Sequence, residues 1–203
     1  MRITIICEGK TEKAFIPYLR VFLQQRLAGK MPALKIDKHD GPIPTKQKLR
    51  TVVSNLLNTG AKRSDAVIAL TDVYPDFSDA ADAKKKMREW VGEESKFFPH
   101  VALHDFEAWL LPYWDRIQKL AGHNSAPFGT NPETVNEMNP PAQRLKQMFE
   151  AGKCRDSYNK PRDAGRILKD ADLMVSIKAC PELKAFVNSI LMLCGTGKKD
   201  LIQ

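Results

Sequence analysis

The chain has 203 residues, 43% of them hydrophobic and 28% charged, a globular composition that excludes intrinsic disorder and fibrous or collagen-like architectures. Lys and Arg number 32 against 24 Asp and Glu, for a net charge of +8, and the whole excess is N-terminal: residues 1–63 carry 13 basic and 4 acidic side chains. A localised basic surface suits an anionic partner such as nucleic acid, but it reads equally as a well-solvated face, so charge alone decides nothing.

Arg2-Ile3-Thr4-Ile5-Ile6-Cys7 is a β-branched apolar run of the kind buried on both faces of a parallel sheet, and it stops at Glu8-Gly9-Lys10. Over residues 12–27, Phe15, Ile16, Leu19, Phe22, Leu23 and Leu27 recur every three or four positions, which predicts a helix with Thr11 as its cap and Pro17 in or near its first turn. Residues 34–37 read as a weaker strand, 41–44 as a loop and 48–57 as a second amphipathic helix. Residues 66–71 form a clear third strand ending at Asp72, with a helix over about 78–91 after it. A short fourth strand, 101–103, runs into His104-Asp105-Phe106-Glu107 and a helix to about residue 120. Beyond a loop rich in Asn, Pro, Gly and Ser, helices are predicted over 142–151, 162–169 and 181–193.

Strand and helix alternate over residues 1–121, which predicts an α/β unit on a mostly parallel sheet. Residues 122–203 read as a helical extension packed on it, the whole forming one compact domain. No apolar run approaches the roughly 18 residues of a membrane span, so a cytoplasmic protein with no membrane partner is expected. Cys7, Cys154, Cys180 and Cys194 have no C-x-x-C spacing and read as reduced, mostly buried thiols.

In open parallel sheets, ligands bind beyond the carboxyl ends of the strands. Glu8 and Glu12 follow the first strand, Asp72 and Asp76 the third, and His104, Asp105 and Glu107 the fourth. Carboxylates in that position suit a hard divalent cation. Each also has a structural reading: Glu12 favours a helix N-terminus, and Asp76 and Asp105 are placed to cap the helices that follow them. His104 and Glu107, three apart, share a face, which suits joint coordination, a histidine that orients a ligand carboxylate, or a structural histidine. Gly195-Thr196-Gly197-Lys198-Lys199 lacks the spacing of a phosphate-binding loop, and no serine stands in a G-x-S-x-G elbow.

Ile5-Ile6-Cys7-Glu8-Gly9-Lys10-Thr11-Glu12 resembles the first motif of Toprim domains, in the E-G-x-T-E form of the overcoming-lysogenization-defect (OLD) family nucleases. Leu70-Thr71-Asp72-Val73-Tyr74-Pro75-Asp76-Phe77 occupies the place of the Toprim D-x-D motif, with Tyr74 at the second aspartate position. With His104-Asp105-Phe106-Glu107-Ala108-Trp109-Leu110 and Lys160-Pro161-Arg162-Asp163-Ala164, the chain is similar to a bacterial family of Toprim-like proteins known only as a domain of unknown function.

The resemblance implies a Toprim-like, Rossmann-like sheet flanked by helices. It implies Glu8 and Asp72 as the catalytic pair, and one or two Mg²⁺ or Mn²⁺ ions held by Glu8, Glu12, Asp72 and Glu107. Asp76 would replace the missing aspartate, His104 would stand behind a ligand, and Lys160 would offset charge on the phosphate. The activity implied is a nuclease or phosphoesterase acting on DNA or RNA, the effector of a bacterial anti-phage defence system whose ATPase is a separate polypeptide. Tyr74 favours the alternative, a non-catalytic adaptor that binds a partner ATPase or nucleic acid. For the nuclease, Lys10, Lys46, Lys48 and Arg50, with Arg20, Arg26 and Lys30, are expected to border the carboxylates, because phosphates are held before they are cleaved.

Overall fold

A computed structural model describes residues 1–203 other than 28, 30, 40, 62, 127, 128, 130, 135–138 and 153–156, so Lys30 and Cys154 lie outside the described residues. Four parallel strands, β1 (Arg2–Cys7), β2 (Ala33–Lys38), β3 (Ala66–Asp72) and β4 (Phe97–Ala102), pair in the order β2-β1-β3-β4. Helices α1 (Lys10–Arg26), α2 (Lys46–Asn58) and α3 (Ala80–Val91) connect them in turn. Strand side chains alternate between faces, so each apolar strand feeds two cores. Ile3, Ile5, Cys7, Ile68 and Leu70 pack on the α1 side, while Ile6, Val67, Ala69 and Val101 pack with residues of α2 and α3.

Beyond β4 come two 3-10 turns (Phe106–Trp109 and Leu111–Tyr113), then α4 (Trp114–Ala121), α5 (Pro141–Ala151), α6 (Lys160–Leu168), α7 (Leu173–Ala179) and α8 (Pro181–Leu193). They extend the α1-side core around Trp109, whose ring centroid lies 5.1 Å from Phe106 and 5.9 Å from both Phe15 and Phe186. The Tyr18 hydroxyl of α1 donates to the Gly165 carbonyl of α6 at 2.8 Å, tying the two helices together. Among the described residues no helix is long and apolar enough to cross a membrane. Cys7 and Cys180 are buried free thiols, and Cys194 is a half-buried one.

Several boundaries differ from expectation. Strand β4 begins at Phe97 rather than at 101, and Pro99 is tolerated within it because β4 is an edge strand, where a missing N–H need not break a ladder bond. The helix expected from residue 104 is broken into 3-10 turns, with His104 at φ +67° and Pro112 in the second turn. Gly9, not Thr11, is the N-cap of α1, and Thr11 is buried inside it. Asp79, not Asp76, caps α3 by accepting the Asp82 N–H at 2.7 Å. Helix α7 has no counterpart in the sequence reading.

The ends of α4 and α5 approach so closely that a Cβ at Gly152 would stand 1.7 Å from the Ala121 carbonyl oxygen. Gly152→Ala is therefore expected to destabilise the fold by about 1–3 kcal/mol, seen as a lower denaturant midpoint at unchanged m. An unchanged midpoint would mean that the two helix ends separate freely.

Candidate active site

The carboxyl ends of β1 and β3, and the turn after β4, open on one cleft of about 360 Å³. Its charged lining is Glu8, Lys10, Glu12, Asp72, Glu107 and Lys160. Glu8 is gripped from β3: the Thr71 hydroxyl and the Asp72 N–H, the latter at 3.0 Å, both donate to its Oε1. Burial pushes the Glu8 carboxyl up, the two hydrogen bonds pull it back, and the charge of Asp76 adds to the rise.

Glu12 sits in the first turn of α1 and folds back over Gly9, where a Cβ would stand 2.6 Å from its Oε2. Burial, then the charges of Glu107 and Glu8, push its pKa up to about 7. Asp72 is held well above the usual carboxylate range by burial, and after that by Glu8, Glu12, Asp105 and Glu107. Glu107 is buried, with both oxygens engaged: Tyr158 Oη donates to Oε1 at 3.3 Å and Lys160 Nζ to Oε2 at 3.2 Å. Burial alone would lower the Lys160 pKa, yet Glu107, Asp105 and Asp72 outweigh it and the net shift is upward.

The cleft brings together Glu8, Glu12, Asp72, Glu107, Lys160 and Lys10, and leaves other expected residues outside. Asp76 is exposed and does not line it, although its charge reaches Glu8, and Tyr74 is 56% exposed. The partners of Glu107 are Tyr158 and Lys160 rather than His104, whose carbonyl instead accepts the Tyr74 N–H at 3.1 Å. Asp105 caps a distant helix, its Oδ2 accepting the Ala142 N–H of α5 at 3.1 Å while its buried Oδ1 has no hydrogen-bond partner among the described residues. Burial and the charge of Glu107 raise its pKa to about 7.

The basic side chains are dispersed. Lys46 and Lys48 are exposed at the start of α2, just after the Gly41-Pro42 loop that reaches the cleft. Arg50 lines a separate recess with Glu93 and Glu94. Arg20 donates to the Leu34 carbonyl at 2.7 Å, and Arg26 stacks 4.7 Å from the Phe22 ring near the far end of α1. Two contributors escaped the sequence reading. Thr71 was marked only by being polar at the buried end of an apolar strand, and Tyr158 only by standing two residues before Lys160.

Four carboxylates, of which Glu8, Glu12 and Asp72 are raised by burial, face the single ammonium of Lys160 and form a set of hard oxygen donors, a chemistry that fits Mg²⁺ or Mn²⁺. Among the described residues no three His, Cys, Asp or Glu side chains are gathered as they stand into a metal cage. The carboxylate of Glu107 is turned to Tyr158 and Lys160, and one oxygen of Glu8 to Thr71.

Residues 7–191 match a family described as a domain of unknown function, DUF4276. No curated protein matches the sequence. Among solved structures, the C-terminal region of the Burkholderia pseudomallei OLD protein is similar with a TM-score of 0.55 at 16% identity, covering 95% of this chain and 98% of that one. The C-terminal region of the Xanthomonas campestris pv. campestris OLD protein, in its platinum-phased structure, reaches 0.49 at 15% identity with 95% of both chains covered. The first likeness establishes the fold alone: the Toprim-like α/β arrangement expected from the sequence.

Proposed function

Since the chain belongs to the DUF4276 family, we propose, from its Toprim-like fold and its carboxylate cleft, that it is a Mg²⁺- or Mn²⁺-dependent nuclease or phosphoesterase acting on nucleic acid. The observation that carries this reading is that Glu8, Glu12, Asp72 and Glu107 share one cleft with Lys160 at the carboxyl ends of a parallel sheet. The protein acts in the bacterial cytoplasm as the effector of a defence system, beside an ATPase carried on another polypeptide.

A divalent cation held by Glu8, Glu12, Asp72 and Glu107 would stabilise the attacking and leaving oxygens of an in-line displacement. The chain's own residues prepare the site. Thr71 fixes one oxygen of Glu8 and leaves the other available. Tyr158 fixes Glu107 and frees Lys160 to turn from Glu107 to a phosphate oxygen, which its firmly held proton suits it to meet. Glu12, which in the cation-free cleft has its pKa pushed up to about 7, would give up its proton on taking its share of the cation.

The test is Mg²⁺- or Mn²⁺-dependent cleavage of single- and double-stranded DNA and RNA. Glu8→Ala is expected to lower the rate about 10²–10³-fold. Undiminished cleavage by this variant would overturn the proposed chemistry. Tyr74 supports a second reading: with an exposed tyrosine in the place of the second aspartate, and Asp76 outside the cleft, the chain would serve as a non-catalytic adaptor for the ATPase or for nucleic acid. Failure of the wild type to cleave any of these substrates, even beside its ATPase, would favour that reading.

A further inference from the structure

A second concave surface lies along the outer edge of β4. This recess, of about 360 Å³, is lined by Lys84, Lys85, Arg88, Phe98, His100 and Ser189, together with Pro99, and no carboxylate is among the described residues that line it. Its floor is the open edge of the sheet, with α3 supplying the cations on one side and α8 supplying Ser189 on the other. Lys84 pairs with Glu182 at the start of α8, which straps the two helices together across the strand edge.

The remaining cations are weakly engaged. Arg88 Nη1 donates to the Glu94 carbonyl at 3.3 Å, and its guanidinium lies 5.7 and 6.0 Å from the ring centroids of Phe97 and Phe98, but it forms no ion pair among the described residues. Lys85, its side chain 76% exposed, has Glu89 at 3.9 Å as its one ion-pair partner among the described residues. At the back of the recess His100, only 6% exposed, has Nε2 at 2.9 Å from the Ser189 hydroxyl, while its buried Nδ1 has no hydrogen-bond partner among the described residues. Burial, then the charges of Lys84 and Arg88, push the imidazole pKa down to about 3, so it anchors the serine as a neutral ring. Excess cations, an anchored hydroxyl and a partly buried aromatic ring at the recess wall are the elements with which proteins hold single strands: phosphates on the cations, a base on the ring.

The recess also stands where such a strand would pass. The register places Ala102 beside Asp72 and His100 beside Leu70, so the recess lies two residues, about 7 Å, down β4 from the level of the carboxylate cleft. The run Lys84-Lys85-Lys86 with Arg88 belongs to the portion of the sequence whose charges nearly cancel, and for that reason half-chain totals hide it.

We propose that the β4-edge recess binds the backbone and one base of a single-stranded nucleic acid whose neighbouring phosphodiester occupies the carboxylate cleft. This rests on the nuclease reading above. The experiment is fluorescence anisotropy of a labelled oligo(dT) titrated with the full-length protein in EDTA, where cation-dependent cleavage is silent. Phe98→Ala is expected to weaken binding roughly 5- to 150-fold. Arg88→Gln and Lys85→Gln are each expected to flatten the slope of log affinity against log salt by about 0.7. Should Phe98 or Arg88 variants fold poorly, the exposed Lys85→Glu keeps the test decisive.

Unchanged affinity and slope in the folded variants overturns the proposal, as does a wild type that binds no oligonucleotide. A wild type that binds through the recess but cleaves nothing with Mg²⁺ or Mn²⁺ overturns the nuclease reading and upholds the recess. One that cleaves, while its recess variants bind and cut unchanged, does the reverse.

Discussion

Asp72→Asn is expected to abolish cation-dependent cleavage, by a factor on the order of 10³, while making the cation-free protein more stable. The two effects have one cause. Asp72 sits amid burial and the charges of Glu8, Glu12, Asp105 and Glu107, all of which oppose its ionisation. An isosteric amide removes that repulsion and with it a hard anionic donor. At neutral pH without metal, the gain should be on the order of 1 kcal/mol, with the melting-temperature rise that Mn²⁺ gives the wild type reduced or lost. Thermal denaturation in EDTA and in Mn²⁺, run beside the cleavage assay, checks both halves. A variant that is less stable in EDTA and still gains the wild-type increment from Mn²⁺ would remove Asp72 from the site.

The pH dependence of the cation-free protein should run opposite to that of an ordinary carboxylate-paired fold. Glu12 and Asp105 have pKa values raised to about 7, from 4.5 and 3.8, so the folded state keeps protons that the unfolded chain has released. Their contribution is fully present below pH 4 and is lost as pH rises through 7. His100, lowered to about 3 from 6.5, acts in the other direction, its contribution lost as pH falls below 6.5. The window from pH 6.5 to 8 therefore isolates the carboxylates, and stability in EDTA should fall there by on the order of 1–2 kcal/mol. With saturating Mn²⁺ the trend should weaken or reverse, because protons and cation compete for the same oxygens. Denaturant midpoints at the two pH values decide the matter. Higher stability at pH 8 than at 6.5 in EDTA would contradict the electrostatics of the cleft.

Strand order along the chain and the placement of Glu8, Asp72 and Glu107 were legible because each apolar run ends abruptly at or near an acid, a pattern local to a few residues. What holds those acids in place was not legible. Thr71 reaches Glu8 across 63 positions, Tyr158 and Lys160 reach Glu107 across more than 50, and Asp105 caps a helix 37 residues further on. Such pairings exist only after the layers have packed. Lys160 itself stood out only through its resemblance to a family motif. Strand β4 extends four residues before the 101–103 run, through Pro99, whose tolerance depends on its being at an edge, and edge position is a property of the sheet. The basic surface was misjudged for a different reason. Summing over the first 63 residues credits Arg20, Arg26 and Arg50, which point to other tasks, and averages away the Lys84–Arg88 cluster on α3.

The uniform direction of the four strands also sorts the loops by what they can tolerate. Residues 8–9, 39 and 41–45, and the turn after β4, lie at the carboxyl ends and contribute to the cleft or adjoin it. Residues 59–61, 63–65 and 92–96 lie at the amino ends, where Gly60 and Gly92 adopt positive φ with open space around the position of a Cβ. The candidate site and the open glycine turns thereby stand at opposite ends of the sheet. A peptide added at residue 60 is expected to leave Glu8, Asp72 and Glu107 where they are, because the whole length of the strands separates it from the cleft.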